Sequence, residues 1–374
     1  MNRPLRIVQL NSVFMGGGID NQTLELSAGL RDLGIEVTLV VAAGSRWENR
    51  AHDLGVPTVT FSPRSPLKWR TITAVQAAVR QTRADILHIH QGRDYWPGIL
   101  GAWLAFAGTR VVITRHLMTR PRGFSRRFLL RAAHVIAVSR AVEGVLRAEL
   151  RGDPDRIFQA HCGFDLSRYE SGRTATALTV RVQHGWAPEH VVFGVVGMYD
   201  LPRGKGQLEF LEAVAQMRTR HPFARFVLIG QGSMRALIEE RIAKMRLGNV
   251  VRLIPFTDDI IPLHGALDVL VHPAVGTEAF GLVVLEAFAS GKPVIASDID
   301  GIPELVVPGE NGFLVPRADV SALAAAMTKL AGDAPLRSRL GQNGRALVET
   351  KFTRARLAEN LVALYRQVLE GGFA

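Results

Sequence analysis

The sequence predicts an α/β protein made of two parallel-sheet domains in one chain. Three observations carry this. Short Val- and Ile-rich runs alternate with helix-length segments along most of the 374 residues. That rhythm breaks once, over "SGRTATALTVRVQHGWAPE" (171–189), and then restarts. The length suits two cores better than one, and a hydrophobic fraction of 47% supplies the apolar content to fill both.

The first series opens with "LRIVQLN", a strand candidate running into Gly16, Gly17 and Gly18 and then a helix over about 21–33. "EVTLVVAA", "DILHIHQ", "TRVVITRH" and "HVIAVS" follow as strands. The second series runs "HVVFGVVGM", "ARFVLIGQG", "NVVRLIPF", "ALDVLVHPA" and "KPVIASD". Strands separated by helices make βαβ units and hence parallel sheets. The boundary is expected near residue 175, giving domains 1–175 and 176–354. A tail helix over about 355–374 places Leu357, Leu361, Leu364 and Tyr365 near helical spacing. Two such domains imply a cleft, with ligands at the carboxyl ends of the strands.

The net charge of +11 is unevenly distributed. Residues 1–170 hold 23 Lys and Arg against 14 Asp and Glu, the remainder 22 against 20. No acidic residue occurs between Asp94 and Glu143, where Arg110, Arg115, Arg120, Arg122, Arg126, Arg127 and Arg131 all fall. Such a surface attracts phosphate groups. There is no zinc-finger spacing, RNP-like string or aromatic-interleaved basic helix, so nucleic acid is not the expected partner. The single cysteine, Cys162, precludes an intrachain disulfide. The first residues lack a secretory h-region. The stretch 95–108 is too short to span a bilayer and reads as a core helix packed on a sheet. The expected location is cytoplasmic, at the inner face of a membrane.

The most specific signal is "TEAFGLVVLEAFASGKPVIAS" (277–297). Gly281 stands where a loop becomes a helix. The amides of Leu282 and Val283 then point out of the helix N-terminus, where a diphosphate can dock. Gly281 has no Cβ to obstruct a ligand. Glu278 precedes the helix and can accept sugar hydroxyls, while Glu286 can accept two hydroxyls at once, as a ribose diol requires. Asp298-Ile299-Asp300 spells a metal-binding Asp-x-Asp, but it follows a second-domain strand and reads as a loop feature, so no metal or other cofactor is expected.

This string resembles the E-x-F-G-x-x-x-x-E element of the large retaining glycosyltransferase family called group 1, or family 4-like, and the resemblance covers nearly the whole chain. It implies the GT-B fold: two Rossmann-like domains facing across a cleft, with the C-terminal helix crossing back to the first. It implies transfer of a sugar from a UDP- or GDP-sugar to a saccharide or lipid-linked acceptor, with retained anomeric configuration, in cell-envelope or exopolysaccharide synthesis. By the same resemblance His116 faces the donor sugar, and Glu278, Ala279, Phe280 and Gly281 hold it. Lys205, Gly17, Gly18, Leu282 and Val283 hold the diphosphate. Glu286, Gly230 and Phe256 hold the ribose and base. The arginine-rich first domain binds the acceptor, so Arg115, Arg120, Arg122, Arg126 and Arg127 are expected to meet an anionic acceptor or a membrane surface.

The chain departs from the family pattern twice. Met198 stands where an arginine usually grips the diphosphate, and Arg203 is the expected substitute. Pro255-Phe256 replaces a usual glycine beside the base pocket. A sugar-nucleotide epimerase or phosphorylase of the same fold, and a basic nucleic-acid-binding protein, are the alternative readings.

Overall fold

The computed structural model describes residues 3–12, 17–62, 68–171, 175–200, 204–257 and 259–371. Contacts divide the chain into two compact units, residues 1–165 with 352–374, and residues 166–351. The first unit therefore ends at Asp165, earlier than the expected 175, and the chain re-enters it at Phe352. A physical reason is visible on the far side of the junction. Arg181, inside the stretch where the strand–helix rhythm lapses, bonds the Ala266 carbonyl and the Asp268 carboxylate, both at 3.0 Å. That stretch is thereby tied into the second unit.

The first unit follows strict alternation: β1 (Arg6–Asn11), α1 (Gly18–Asp32), β2 (Glu36–Ala42), α2 (Arg46–Asp53), β3 (Thr58–Phe61), α3 (Trp69–Thr82), β4 (Ile86–Ile89), α4 (Tyr95–Ala105), β5 (Arg110–Arg115), α5 (Gly123–Ala132), β6 (His134–Ala137), α6 (Arg140–Glu149) and β7 (Ile157–Gln159). The second contains α7 (Ser167–Ser171), α8 (Ala175–Gln183), β8 (Val191–Val196), α9 (Gln207–Met217), β9 (Ala224–Ile229), α10 (Arg235–Lys244), β10 (Val251–Ile254), α11 (Ile261–Ala266), β11 (Val269–His272), α12 (Leu282–Ala289), β12 (Val294–Ser297), β13 (Gly312–Val315), α13 (Val320–Gly332) and α14 (Ala334–Lys351). The final helix, α15 (Arg354–Glu370), belongs to the first unit.

Both sheets are parallel, in the orders β3-β2-β1-β4-β5-β6-β7 and β10-β9-β8-β11-β12-β13. In each, successive strands are added outward in one direction and then in the other. The reversal falls between β1 and β4 in the first sheet and between β8 and β11 in the second. Loops leaving such adjacent strands diverge, which opens space for a ligand at their carboxyl ends.

The return helix is held by packing and by polar contacts. Leu357, Leu361, Leu364 and Tyr365 enter the core that also holds Leu24 and Leu30 of α1. Arg354 meets Glu25 at 2.8 Å and Asp165 at 3.2 Å. His88 on β4 bonds the Tyr365 hydroxyl through Nδ1 and the Thr114 hydroxyl through Nε2, both at 2.6 Å. Both ring nitrogens of His88 are thus committed within the core.

Helix α4 departs from its sequence reading. It packs on the first sheet, but its buried residues are mostly Gly98, Gly101, Ala102 and Ala105. Gly98 lies against Ile89 and Leu10, and Gly101 against Val75 and the Ile72 carbonyl. The small face is inside because the space there admits no larger side chain, so the large apolar side chains go elsewhere.

Burial, and then the nearby His116, lower the His88 pKa from 6.5 to about 3. A depressed histidine favours the neutral fold above pH 6.5 and loses stability as pH falls toward 3. By about pH 5 this amounts to roughly 2 kcal/mol. His88→Gln should lower Tm at neutral pH and flatten the acid slope. Parallel Tm–pH curves for the two proteins would remove His88 as the titrating group.

Candidate active site

The candidate site grows from the reversal between β8 and β11. The loop after β8 and the loop after β11 come into backbone contact there. Gly206 ends the first loop at φ 81°, and a Cβ on it would sit 1.8 Å from the Pro273 carbonyl oxygen of the second. After β9, a Cβ on Gly230 would sit 2.1 Å from the Gly197 carbonyl oxygen, and one on Gly232 2.5 Å from the Tyr199 carbonyl carbon. Gly230 thus serves backbone packing, and the Tyr199 hydroxyl donates to its carbonyl at 2.9 Å.

This contact brings together two residues 73 positions apart. Lys205 Nζ lies 2.7 Å from Glu278 Oε2. The same oxygen is 3.1 Å from Nε2 of His272, the last residue of β11, whose side chain is almost wholly buried. Burial alone would raise the Glu278 pKa. The hydrogen bond and charge of His272, and then the Lys205 ammonium, outweigh it and hold the carboxyl well below the usual carboxylate range. From behind, the Glu278 amide donates to Asp300 Oδ2 at 2.9 Å, and Gly301 N–H donates to the Glu278 carbonyl at 3.2 Å. The Asp-x-Asp of the sequence is therefore a brace, with Asp300 itself at φ 44°. Among the described residues no three His, Cys, Asp or Glu side chains gather in a way that could hold a cation.

Gly281 caps α12 at φ 97°, and a Cβ there would lie 2.7 Å from Ile302 Cδ1. Val284 and Leu285 N–H bond the Gly281 carbonyl. Leu282 and Val283 are the first-turn amides that helix geometry leaves without an intrahelical acceptor. Ala279 and Phe280 lead into this turn, with Phe280 buried. Glu286 lies one turn further, its Oε2 3.4 Å from Nε2 of the buried His264 on α11. Met198 and Phe256 are both exposed. Arg203 and Gly16 lie outside the described residues.

In the first unit, Gly17 is the N-cap of α1, and a Cβ on it would meet nothing within 4 Å. Gly18 is the first residue of α1. His116 follows β5 directly. Burial, and then the Arg115 charge, lower its pKa to about 3, so the ring is neutral. It lines a small cavity with His90, Thr114, Gln22 and Cys162.

The structure brings the expected arginines together in part: Arg115, Arg120 and Arg122 share one cavity, and Arg120 and Arg126 share Glu149. Arg115, on the other side of β5 from His116, bonds Thr119 and lines a separate cavity of about 170 Å³ with Arg120, Arg122 and Tyr95. Its Nε is buried without a hydrogen-bond partner among the described residues. Arg120 and Arg126 approach Glu149 at 3.5 and 3.6 Å. Arg127 instead lies over the Phe128 ring.

His272, Asp300 and His264 were not singled out from the sequence as site residues. A polar residue ending the apolar run "VLVH", just before the Glu278 loop, was the available signal for His272. Asp300 and His264 meet their glutamates only through the fold.

Two family models match this chain: "Glycosyltransferase Family 4" over residues 16–168 and "Glycosyl transferases group 1" over residues 179–347. The chain belongs to this glycosyltransferase family. It is 27% identical over 340 residues to a phosphatidyl-myo-inositol mannosyltransferase of Mycolicibacterium smegmatis, spanning 86% of this chain and 83% of that one. Its fold matches a glycosyltransferase from Rickettsia africae (TM-score 0.86, 18% identity, 99% and 100% of the two chains). It also matches Anabaena HepE in complex with UDP and glucose (TM-score 0.82, 23% identity, 97% and 99%). The GT-B architecture is therefore that of this glycosyltransferase.

Gly281→Ala forces a side chain into the left-handed region and against Ile302. It should cost about 1–3 kcal/mol and lower Tm by several degrees. An unchanged melting curve would show that the start of α12 does not need this backbone conformation.

Proposed function

We propose that this glycosyltransferase moves a sugar from a UDP- or GDP-sugar to a saccharide or lipid-linked acceptor in cell-envelope or extracellular glycan synthesis. In this proposal the anomeric configuration is retained and no metal ion takes part. The observation that carries the reading is the Lys205–Glu278 pair beside the first turn of α12. The leaving nucleoside diphosphate gains negative charge in the transition state. A fixed ammonium and the helix N-terminus, with the Leu282 and Val283 amides, are suited to stabilise it. Glu278 Oε2 is engaged by His272 and Lys205, which leaves Oε1 to accept a sugar hydroxyl. Glu286 is assigned to the ribose diol. Asp300 Oδ2 accepts the Glu278 amide and so helps to hold Glu278 beside Lys205.

A carboxylate stabilised as strongly as Glu278 is a weak base and a weak nucleophile. That favours direct transfer on one face of the sugar. The acceptor oxygen bonds the anomeric carbon as the bond to the phosphate oxygen breaks, and the acceptor proton passes to a donor phosphate oxygen. His116, held neutral, is the first unit's candidate for the reaction centre. The arginine-lined cavity at Arg115, Arg120 and Arg122 suits an acceptor carrying phosphate. Similarity to a phosphatidyl-myo-inositol mannosyltransferase, and in fold to a protein solved with UDP and glucose, supports the donor and acceptor classes.

A thermal-shift panel of UDP, GDP, ADP and their sugar conjugates, with and without Mg²⁺, tests this. One base at about 100 times its Kd should add roughly 2.7 kcal/mol of stability, equally with and without Mg²⁺. Its sugar conjugate should then turn over only when acceptor is added. Turnover without acceptor would favour an epimerase, and no shift with any nucleotide would overturn the donor site.

A further inference from the structure

Helix α4 is inverted in its use of apolar residues. Its buried face is mostly glycine and alanine, whereas Trp96, Leu100 and Trp103, spaced four and three residues apart, follow one outer stripe. Trp103 is 67% exposed. Phe106, which ends the helix, is 77% exposed and held at φ 53°, where an aromatic side chain is disfavoured. A strained aromatic that buries almost nothing adds no stability to the fold.

Helix α5 continues the same surface and, with Phe124 and Phe128 set among Arg126, Arg127 and Arg131, corrects the expectation that the chain has no basic helix carrying aromatic residues. Trp96 Nε1 donates to the Ser125 hydroxyl at 2.9 Å, and the Trp96 and Phe124 rings lie 4.6 Å apart. Phe124 is 60% exposed and packs against the Phe128 ring at a tilt, also at 4.6 Å. Arg127 and Arg131 both lie over the Phe128 ring, each 5.7 Å from its centroid, and both are exposed. Beside them a groove of about 500 Å³ opens between the end of α4 and the start of β5. Ile99, Trp103, Phe106 and Val111 line it, with Arg131 at its edge.

Tryptophan and phenylalanine set among arginines fit the water–lipid boundary, where rings enter the acyl region and guanidinium groups meet phosphate. The charge agrees, since Asp94 is buried, no acidic residue follows it before Glu143, and Glu149 is already taken by Arg120 and Arg126. We propose that the α4–α5 face docks the protein on an anionic phospholipid surface, inserting Trp103, Phe106 and Phe124, with Arg127 and Arg131 on the headgroup phosphates. No helix among the described residues is long and apolar enough to cross a membrane, so the contact is interfacial. The proposal is independent of the donor-site reading.

Flotation with phosphatidylcholine vesicles, with and without phosphatidylglycerol, tests it, together with tryptophan emission. The wild-type chain should float with the phosphatidylglycerol vesicles and shift its emission to the blue. Trp103→Ser with Phe106→Ser replaces exposed side chains and should leave the melting temperature unchanged or raised, yet cut vesicle partition at least about tenfold. Arg127→Gln with Arg131→Gln should weaken partition about fivefold per arginine and reduce its sensitivity to salt. Full partition by the Trp103/Phe106 variant overturns the proposal. So does a wild-type chain that ignores both vesicles, or one that instead pairs through this face with a second copy of itself.

Discussion

The second unit's chemistry depends on how one carboxylate is held. Glu278 carries its charge in a largely buried position because Lys205 and His272 share one of its oxygens. His272 lies six residues before it, whereas Lys205 is 73 positions away and is brought to it by the fold. Lys205 arrives from the loop after β8, and His272 ends β11, so the sheet order that makes these strands neighbours also assembles the cluster. An isolated charge at that depth would neutralise by taking a proton. The close backbone approach of Gly206 to Pro273 and the Asp300 brace therefore serve the electrostatics of the site as much as the packing.

The same arrangement bears on the proposed donor site. Lys205 faces the Glu278 carboxylate, and a diphosphate attracts an ammonium more strongly than a carboxylate does. In the proposed function Lys205 turns to the phosphate, while His272 keeps Glu278 oriented and ionised toward the sugar.

Much of this was legible in the sequence. The alternation of strands and helices gave the two parallel sheets. The Gly281 position, read as a loop-to-helix junction, is a left-handed N-cap, and the tail helix joins the first unit. Less local features were not legible. Asp300 reads only as a loop residue because its partner, the Glu278 amide, lies 22 positions away and is brought to it by the fold. The arginines between Asp94 and Glu143 read as a patch without counter-charge, but Glu149, outside that stretch, claims Arg120 and Arg126. Helix α4 reads as a core helix because hydropathy counts apolar residues without saying which face meets the sheet. The glycines decide that, and they turn the tryptophans outward.

A double-mutant cycle of Lys205→Met and Glu278→Gln, read on unfolding stability, tests the central claim most directly. It is run first on the empty protein and then with a saturating nucleoside diphosphate that binds all four forms. The account predicts a coupling of about 1–3 kcal/mol in the empty protein, falling clearly when the diphosphate takes over Lys205. Additive effects in the empty protein, or a coupling that the diphosphate leaves unchanged, would contradict it.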